Sequence, residues 1–255
     1  MDSTSTSDGV DDWESHWSAY ATAAERNPAQ EFRRRLIVKQ LGQLDASTRL
    51  VDIGCGQGDL LRFIHSRFPL AVLAGIDQSS SGLAEASAKV PSARFVRVDL
   101  TAAAIPTELS RWATHATCSE VLEHVDDPVA FLRRAGETLD RSCHLVITVP
   151  GGPMSAYDRS IGHRRHYDAR SLRDVIAEAG YDVVRLRRCG FPVFNVYKLL
   201  VVARGDRLIE EANSSVEGKQ SKLTSLATNV FRPAFHFTVP DFRLGWQLLA
   251  DARPR

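Results

Sequence analysis

The chain has 255 residues, 32 Lys and Arg against 31 Asp and Glu, and an apolar fraction of 44%. A net charge of +1 excludes a globally basic nucleic-acid binder, and a charged fraction of 25% belongs to a folded rather than a disordered chain. The longest apolar run, at 199–203, has five residues, far short of the roughly 20 that a membrane span needs. The start, MDSTSTSDGVDD, is acidic and polar, unlike the basic start and apolar core of a signal peptide. Four cysteines, at 55, 118, 143 and 189, form no CxxC pair and no metal spacing, so they read as reduced thiols in or near the core. The expectation is a cytoplasmic protein with one main core.

Residues 1–11 are Ser-, Thr- and Asp-rich and carry no structural signal. Trp13, Trp17 and Tyr20 then recur at helical spacing, which predicts a short amphipathic helix before the Asn27-Pro28 break. A second helix is predicted over 28–44, with Phe32, Leu36, Ile37, Leu41 and Leu44 on one face. Arg33, Arg34 and Arg35 sit among them as a charge run. From residue 50 the pattern alternates. Strands are expected at 50–53, 72–76, 93–98, 113–119, 144–149 and 181–188, with helices at 59–67, 81–88, 128–139 and 171–179 between them. Several strands are continuous apolar runs, which suits a sheet buried on both faces, and the alternation argues for parallel strands with right-handed crossovers. The stretch 191–244 is too long for an ordinary connection and holds predicted helices at 193–203 and 219–231. GWQLLADARP closes the chain as a last strand, antiparallel to its neighbours. The chain divides into an N-terminal helical cap (1–45), an α/β core (46–190), a helical insertion or lid (191–244) and a final core strand (245–255).

The most informative stretch is VDIGCGQGDL, 51–60: a strand, Gly54-Cys55-Gly56-Gln57-Gly58, and a helix. Glycines permit positive φ and close approach to a ligand, and the helix start offers unpaired N–H groups. Such a loop also suits a nicotinamide or flavin fold, but the spacing is G-x-G-x-G rather than G-x-G-x-x-G. Moreover, Asp52 precedes the first glycine by two, where a pyrophosphate is unwelcome and a cationic group with a free amine is welcome. Asp77 ends the second strand, 19 residues after Gly58, where an acid accepts from ribose hydroxyls. Asp99 ends the third strand, placed to accept from an adenine amine. Three acids at three strand ends define one crevice at the carboxyl edge of the sheet.

With these elements in place, the sequence resembles the class I S-adenosylmethionine-dependent methyltransferases over about 46–190 and the final strand. CSEVLEHVDDP, 118–128, is similar to the fourth motif of that family and close to that of ubiquinone-biosynthesis O-methyltransferases. The resemblance implies a Rossmann-like α/β fold: seven strands, mostly parallel with an antiparallel last strand, helices on both faces. It implies S-adenosyl-L-methionine as cofactor and S-adenosyl-L-homocysteine as product. On this reading Asp52, Gly54, Cys55 and Gly56 surround the methionine part. Asp77 holds the ribose with Gln78 beside the adenine, Asp99 and Leu100 contact the adenine, and Ser119 and Glu120 line the methionine side.

Methyl transfer from a sulfonium mainly requires alignment, and a hydroxyl nucleophile also needs a base. The candidates are His124, after the fourth strand, and His163 and His166 in PGGPMSAYDRSIGHRRHYD, 150–168. A similar GHRRxY stretch occurs in family members that act on sugars, lipids or secondary metabolites. Tyr157, Arg164, Arg165 and Tyr167 are therefore expected to face an acceptor, the arginines through their planar forks. Glu123 reads as a solvated helix carboxylate, and Asp126-Asp127 as a helix cap rather than a metal pair. No metal is expected. The function indicated is methyl transfer to a small molecule, most directly to a hydroxyl oxygen of a secondary metabolite, sugar or lipid-like compound. Transfer to nitrogen or carbon, or a non-methylating cyclase or regulator on the same fold, are the alternatives. Nucleic acid is not an expected partner, and a peripheral membrane contact through 191–244 and a monomeric or homodimeric state stay open.

Overall fold

A computed structural model describes residues 28–203, 233–239 and 241–255. The predicted helices around Trp13 and at 219–231 lie outside the described residues. Helix α1 (Pro28–Leu41) enters strand β1 (Arg49–Ile53), and α2 (Asp59–His65), β2 (Val72–Asp77), α3 (Ser80–Lys89), β3 (Arg94–Arg97) and β4 (Ala113–Ser119) follow. After them come α4 (Pro128–Ala135), β5 (Leu139–Pro150), the single turn α5 (Ala156–Ser160), α6 (Ala169–Glu178), β6 (Tyr181–Cys189), α7 (Val193–Ala203) and β7 (Gln247–Pro254). One sheet forms in the order β3-β2-β1-β4-β5-β7-β6. Every pairing from β3 to β5 is parallel, and β7 runs antiparallel to both β5 and β6.

The period of two along each strand builds two cores. Val51, Ile53, Ala74, Leu145, Ile147, Leu248 and Ala250 point to the side covered by α4 and α6, where Phe131, Leu132, Leu172 and Ile176 pack. Leu50, Leu73, Val146 and Leu249 point the other way, onto Phe32, Leu36 and Ile37 of α1, Leu61 and Ile64 of α2, and Leu83 of α3. Phe194 of α7 and Phe235 join this second layer, both ringed against Phe32. Helix α1 lies along β7: Gln40 donates to Asp251 at one end and Arg33 reaches Gln247 at the other.

Three boundaries differ from the sequence reading by three residues or more. Helix α1 stops at Leu41 because Gly42 takes φ 79°, a left-handed helix end. Helix α4 stops at Ala135 and passes through a 3-10 turn, Gly136–Thr138. Strand β5 begins at Leu139 rather than 144: Leu139 pairs with Ala113, and the register shifts before His115 meets His144. Asp127 caps α4 through Ala130 N, as expected. Among the described residues no helix is long and apolar enough to cross a membrane.

Candidate active site

The carboxyl ends of β1, β2, β3, β4 and β5 open on one edge of the sheet. The antiparallel β7 starts there at Gln247, and α7 leaves β6 there. The edge divides into two halves that meet at Glu120.

The first half is the glycine loop and its acids. Gly54, Gly56 and Gly58 have φ 72°, 49° and 73°, backbone that favours glycine. A Cβ on Gly58 would lie 2.7 Å from Ala86 Cβ, and one on Gly54 would meet Val121, so the loop also needs its bare backbone for packing. Asp77 pins it: Gly56 N donates to one carboxylate oxygen at 2.8 Å and Ser79 N to the other at 2.9 Å. Asp52 is buried and takes the Thr117 hydroxyl at 2.6 Å. Burial, with Asp77 also nearby, pushes Asp52 up to about 7. Gln78 lends its carbonyl to Arg97 Nε. Asp99 closes a local turn with Thr101. Two expected contacts turn inward. Leu100 is packed in the core, its carbonyl taken by Arg134. Cys55 is buried with its sulfur beneath Gly75, and burial raises its thiol well above the ordinary value.

The second half starts at β4. Ser119 shares a hydrogen bond with Thr148. Glu120 has φ 58°, left-handed backbone in a residue that is not glycine; such strain persists where its surroundings hold it. Arg33 from α1 lies 3.1 Å from its Oε2, and Gln247 donates to its Oε1 at 2.8 Å. Arg33 Nε is buried without a hydrogen-bond partner. Arg33 was hidden in the sequence inside a three-arginine run that reads as a solvated face. Glu123 corrects the sequence reading outright. It is fully buried, not solvated, and neither carboxyl oxygen has a hydrogen-bond partner. Burial, then the nearby Glu120, raises its pKa well above the ordinary value.

Around Glu123 the fold gathers three histidines. His124 and His163 meet edge to face with ring centroids 4.6 Å apart, and His163 Nδ1 lies 3.2 Å from His166 Nε2. His166 Nδ1 lies 3.1 Å from Gly152 O. Behind them Asp158 is buried, holding Ser155 N, Ser155 Oγ and Lys198 Nζ at 2.7, 2.7 and 2.5 Å. Burial alone would raise that carboxyl, and Lys198 and Ser155 together bring it below its usual range. Burial, then His124, drives His163 down to about 2, and burial also lowers His166. Burial therefore makes these rings weaker proton acceptors than an exposed imidazole, and a ring nitrogen that bears no proton can also serve as a ligand. Glu123, His124 and His163 each bring one donor atom within 4.8 Å of the others, as do Asp158, His163 and His166. Glu123 and His124 follow β4 and His163 follows β5, so no local spacing joins the first group, whereas the second lies wholly in the segment after β5.

The basic and aromatic residues expected to face an acceptor are largely engaged elsewhere. Arg164 pairs with Asp126 and Arg165 donates to Asp126 O, so both staple the loop after β5 onto the loop after β4. Tyr167 is buried in the core with its hydroxyl on Leu122 O, below the site. Tyr157 stays half-buried on α5.

Sheet order, helix layers and glycine loop together define the Rossmann-like fold of class I methyltransferases. The sequence profile of the methyltransferase domain matches residues 23–186, and the chain belongs to that family. Trans-aconitate 2-methyltransferase of Variovorax paradoxus is 30% identical over 181 residues, 69% of this chain. That match spans 62% of the relative's length, under two thirds. Among solved structures, phosphoethanolamine N-methyltransferase 2 of Haemonchus contortus with S-adenosyl-L-methionine aligns over 97% of this chain and 61% of its own, with TM-score 0.63 and 16% identity. The [4+2]-cyclase SpnF aligns over 87% of this chain and 79% of its own, with TM-score 0.58 and 17% identity. These two likenesses concern the fold.

Proposed function

We propose that the protein binds S-adenosyl-L-methionine in the first half of the edge and transfers its methyl group to an oxygen of a small molecule held in the second. The observation that carries this reading is the left-handed glycine loop hung on Asp77, with Asp52 and Asp99 at the flanking strand ends. Asp77 takes the ribose hydroxyls with oxygens that already hold the loop, and Asp52 faces the cofactor's cationic end. Gln78 and Asp99 flank the adenine, with Leu100 contributing backbone and core packing. Gly54, Gly56, Ser119 and Glu120 bound the methionine part, and the orphaned Arg33 Nε is placed to meet its carboxylate, a planar fork for an anion.

The acceptor lies over His124 and His163. A second element of the reading rests on Glu123, a buried acid with no hydrogen-bond partner beside the imidazoles of His124 and His163: this set fits a divalent cation. Such a cation supplies charge that lowers the pKa of an acceptor hydroxyl. Glu123, His124 and His163 hold it, and α7 with the loop after β5 excludes water. Acceptors to screen are hydroxylated secondary metabolites and sugars, and trans-aconitate, the compound in the Variovorax relative's name.

Titration calorimetry with S-adenosyl-L-homocysteine tests the cofactor half. The wild type is expected to bind, and Asp77→Ala to lose at least about tenfold, the worth of one charge-assisted hydrogen bond. Unchanged binding in the variant would remove the ribose contact. Binding without methyl transfer to any acceptor would favour a cyclase or regulator.

A further inference from the structure

Gln247 opens β7 and is fully buried. Its backbone pairs with Pro150 of β5 on one side and Cys189 of β6 on the other, so the side chain starts from a fixed place in the sheet. Its Nε2 donates to Glu120 Oε1 at 2.8 Å and to Val149 O at 3.0 Å, and its Oε1 accepts from Arg33 Nη1 at 3.4 Å. A carboxylate and a carbonyl only accept, and a guanidinium only donates. The amide therefore has one orientation: reversed, its oxygen would face two acceptors and its N–H groups a donor. Arg33 Nη1 also lies 3.1 Å from Glu120 Oε2, which closes a triangle of Gln247, Glu120 and Arg33. Its corners come from β7, the turn after β4 and α1. A buried polar group whose bonds are all made rigidifies what it joins. Glu120 is held there in left-handed backbone at φ 58°. The triangle engages Nη1 of Arg33 and leaves its Nε buried without a hydrogen-bond partner.

We propose that Gln247 is a positioning residue for the methionine end of the cofactor: by tying Glu120 and Arg33 into one fixed pair, it keeps Arg33 where its free Nε–H meets the ligand's carboxylate. The role rests on the cofactor reading above. Both protons of the Gln247 amide are spent on the protein, so the residue acts only through Arg33 and Glu120. A guanidinium already ordered loses less rotamer freedom when the ligand arrives. That gain reaches only ligands that carry the amino-acid part. 5′-Methylthioadenosine has the same adenosine and sulfur but no carboxylate, and it does not call on Arg33.

Calorimetry on the full chain, with S-adenosyl-L-homocysteine and 5′-methylthioadenosine as the two probes, tests it. The wild type is expected to favour the first. Gln247→Met keeps the length of the side chain without donor or acceptor. It is expected to weaken S-adenosyl-L-homocysteine by about tenfold, the scale of one hydrogen bond to a charged group, and to leave 5′-methylthioadenosine unchanged. Equal loss of both ligands, or loss of neither, overturns the positioning role. Gln247→Glu decides the matter if Gln247→Met does not fold. Its carboxylate cannot donate to Glu120 and competes with it for Arg33, so the same selective loss is expected, and unchanged selectivity overturns the role. In an Arg33→Met background, Gln247→Met is expected to cost no further affinity; a second tenfold loss overturns the route through Arg33. A wild type that binds both ligands alike removes the methionine contact and the role of Gln247 with it. A wild type that binds neither overturns the cofactor half itself.

Discussion

Replacing Glu123 with methionine tests how the acceptor half is built. The side chain is fully buried and neither oxygen finds a donor, while its backbone carbonyl accepts from Arg164 N and survives the substitution. An unsatisfied buried polar group costs about 1–3 kcal/mol, which an apolar side chain of similar size removes. For a chain of this length each kcal/mol moves the midpoint by about 2–4 °C, so Glu123→Met in chelator should melt about 2–12 °C higher. The sign also has a pH face. A carboxyl whose folded pKa is raised contributes most below its unfolded pKa, near 4.3, and loses that contribution as pH rises toward the folded value. The wild type should therefore weaken over that range and the variant should not. Divalent cation should stabilise the wild type and leave Glu123→Met unmoved. Calorimetric melting with and without chelator reads all three. A variant less stable than wild type in chelator would show that the carboxyl has a partner there and would refute the reasoning.

Other outcomes follow from the same geometry. Gly58→Ala combines positive φ with a clash against Ala86 and should cost about 1–3 kcal/mol in urea unfolding, with weaker cofactor binding; an unchanged midpoint would remove the close approach. Lys198→Met leaves the Asp158 charge buried with only Ser155 and should cost about 3–5 kcal/mol; Asp158→Asn in the same background should recover part of it, and strict additivity would deny the pairing. Asp52, pushed up to about 7, should make homocysteine-cofactor binding tighten as pH rises through that value, because the ligand's ammonium favours the ionised acid; Asp52→Asn should flatten the profile, and a flat wild type would place the ammonium elsewhere. All four thiols are buried, so a thiol reagent should find none in the native protein and four after denaturation.

What the sequence made legible was whatever local pattern determines. Apolar strands next to amphipathic helices, and the glycine loop with an acid at each strand end, are short-range signals, and they placed β1, β2, β4 and β6 within a residue or two. The start of β5 was missed because Asp140, Arg141 and Ser142 do not look like strand; they extend because Leu139 pairs with Ala113 across the sheet. Glu123 was misread for the same kind of reason. Nothing in EVLEH distinguishes a solvated acid from one sealed by the loop after β5, which returns some 40 residues later. The histidine cluster depends on that return as well, and Arg33 on the approach of α1 to β4. Long-range assembly, not residue type, makes these residues a site.

That contrast bears on where function resides in the molecule. Most of the chain obeys local rules: strands alternate, Ser79, Asp127 and Asp168 cap helices, and left-handed glycines end or turn elements. Exceptions occur elsewhere too, at the left-handed Arg111 and the buried Arg187 Nε, but three of them meet in one place. Glu120 is left-handed without being glycine, Glu123 is a buried acid without a donor, and Arg33 Nε is a buried donor without an acceptor. Each is unfavourable alone, and their concentration between the glycine loop and the histidines is what a site built for ligands requires. An anion beside Arg33 and a cation beside Glu123 would resolve two of them at once. The strained backbone of Glu120 then stands between the two halves, its carboxylate tied to α1 and β7, where the proposed methyl donor and acceptor would meet.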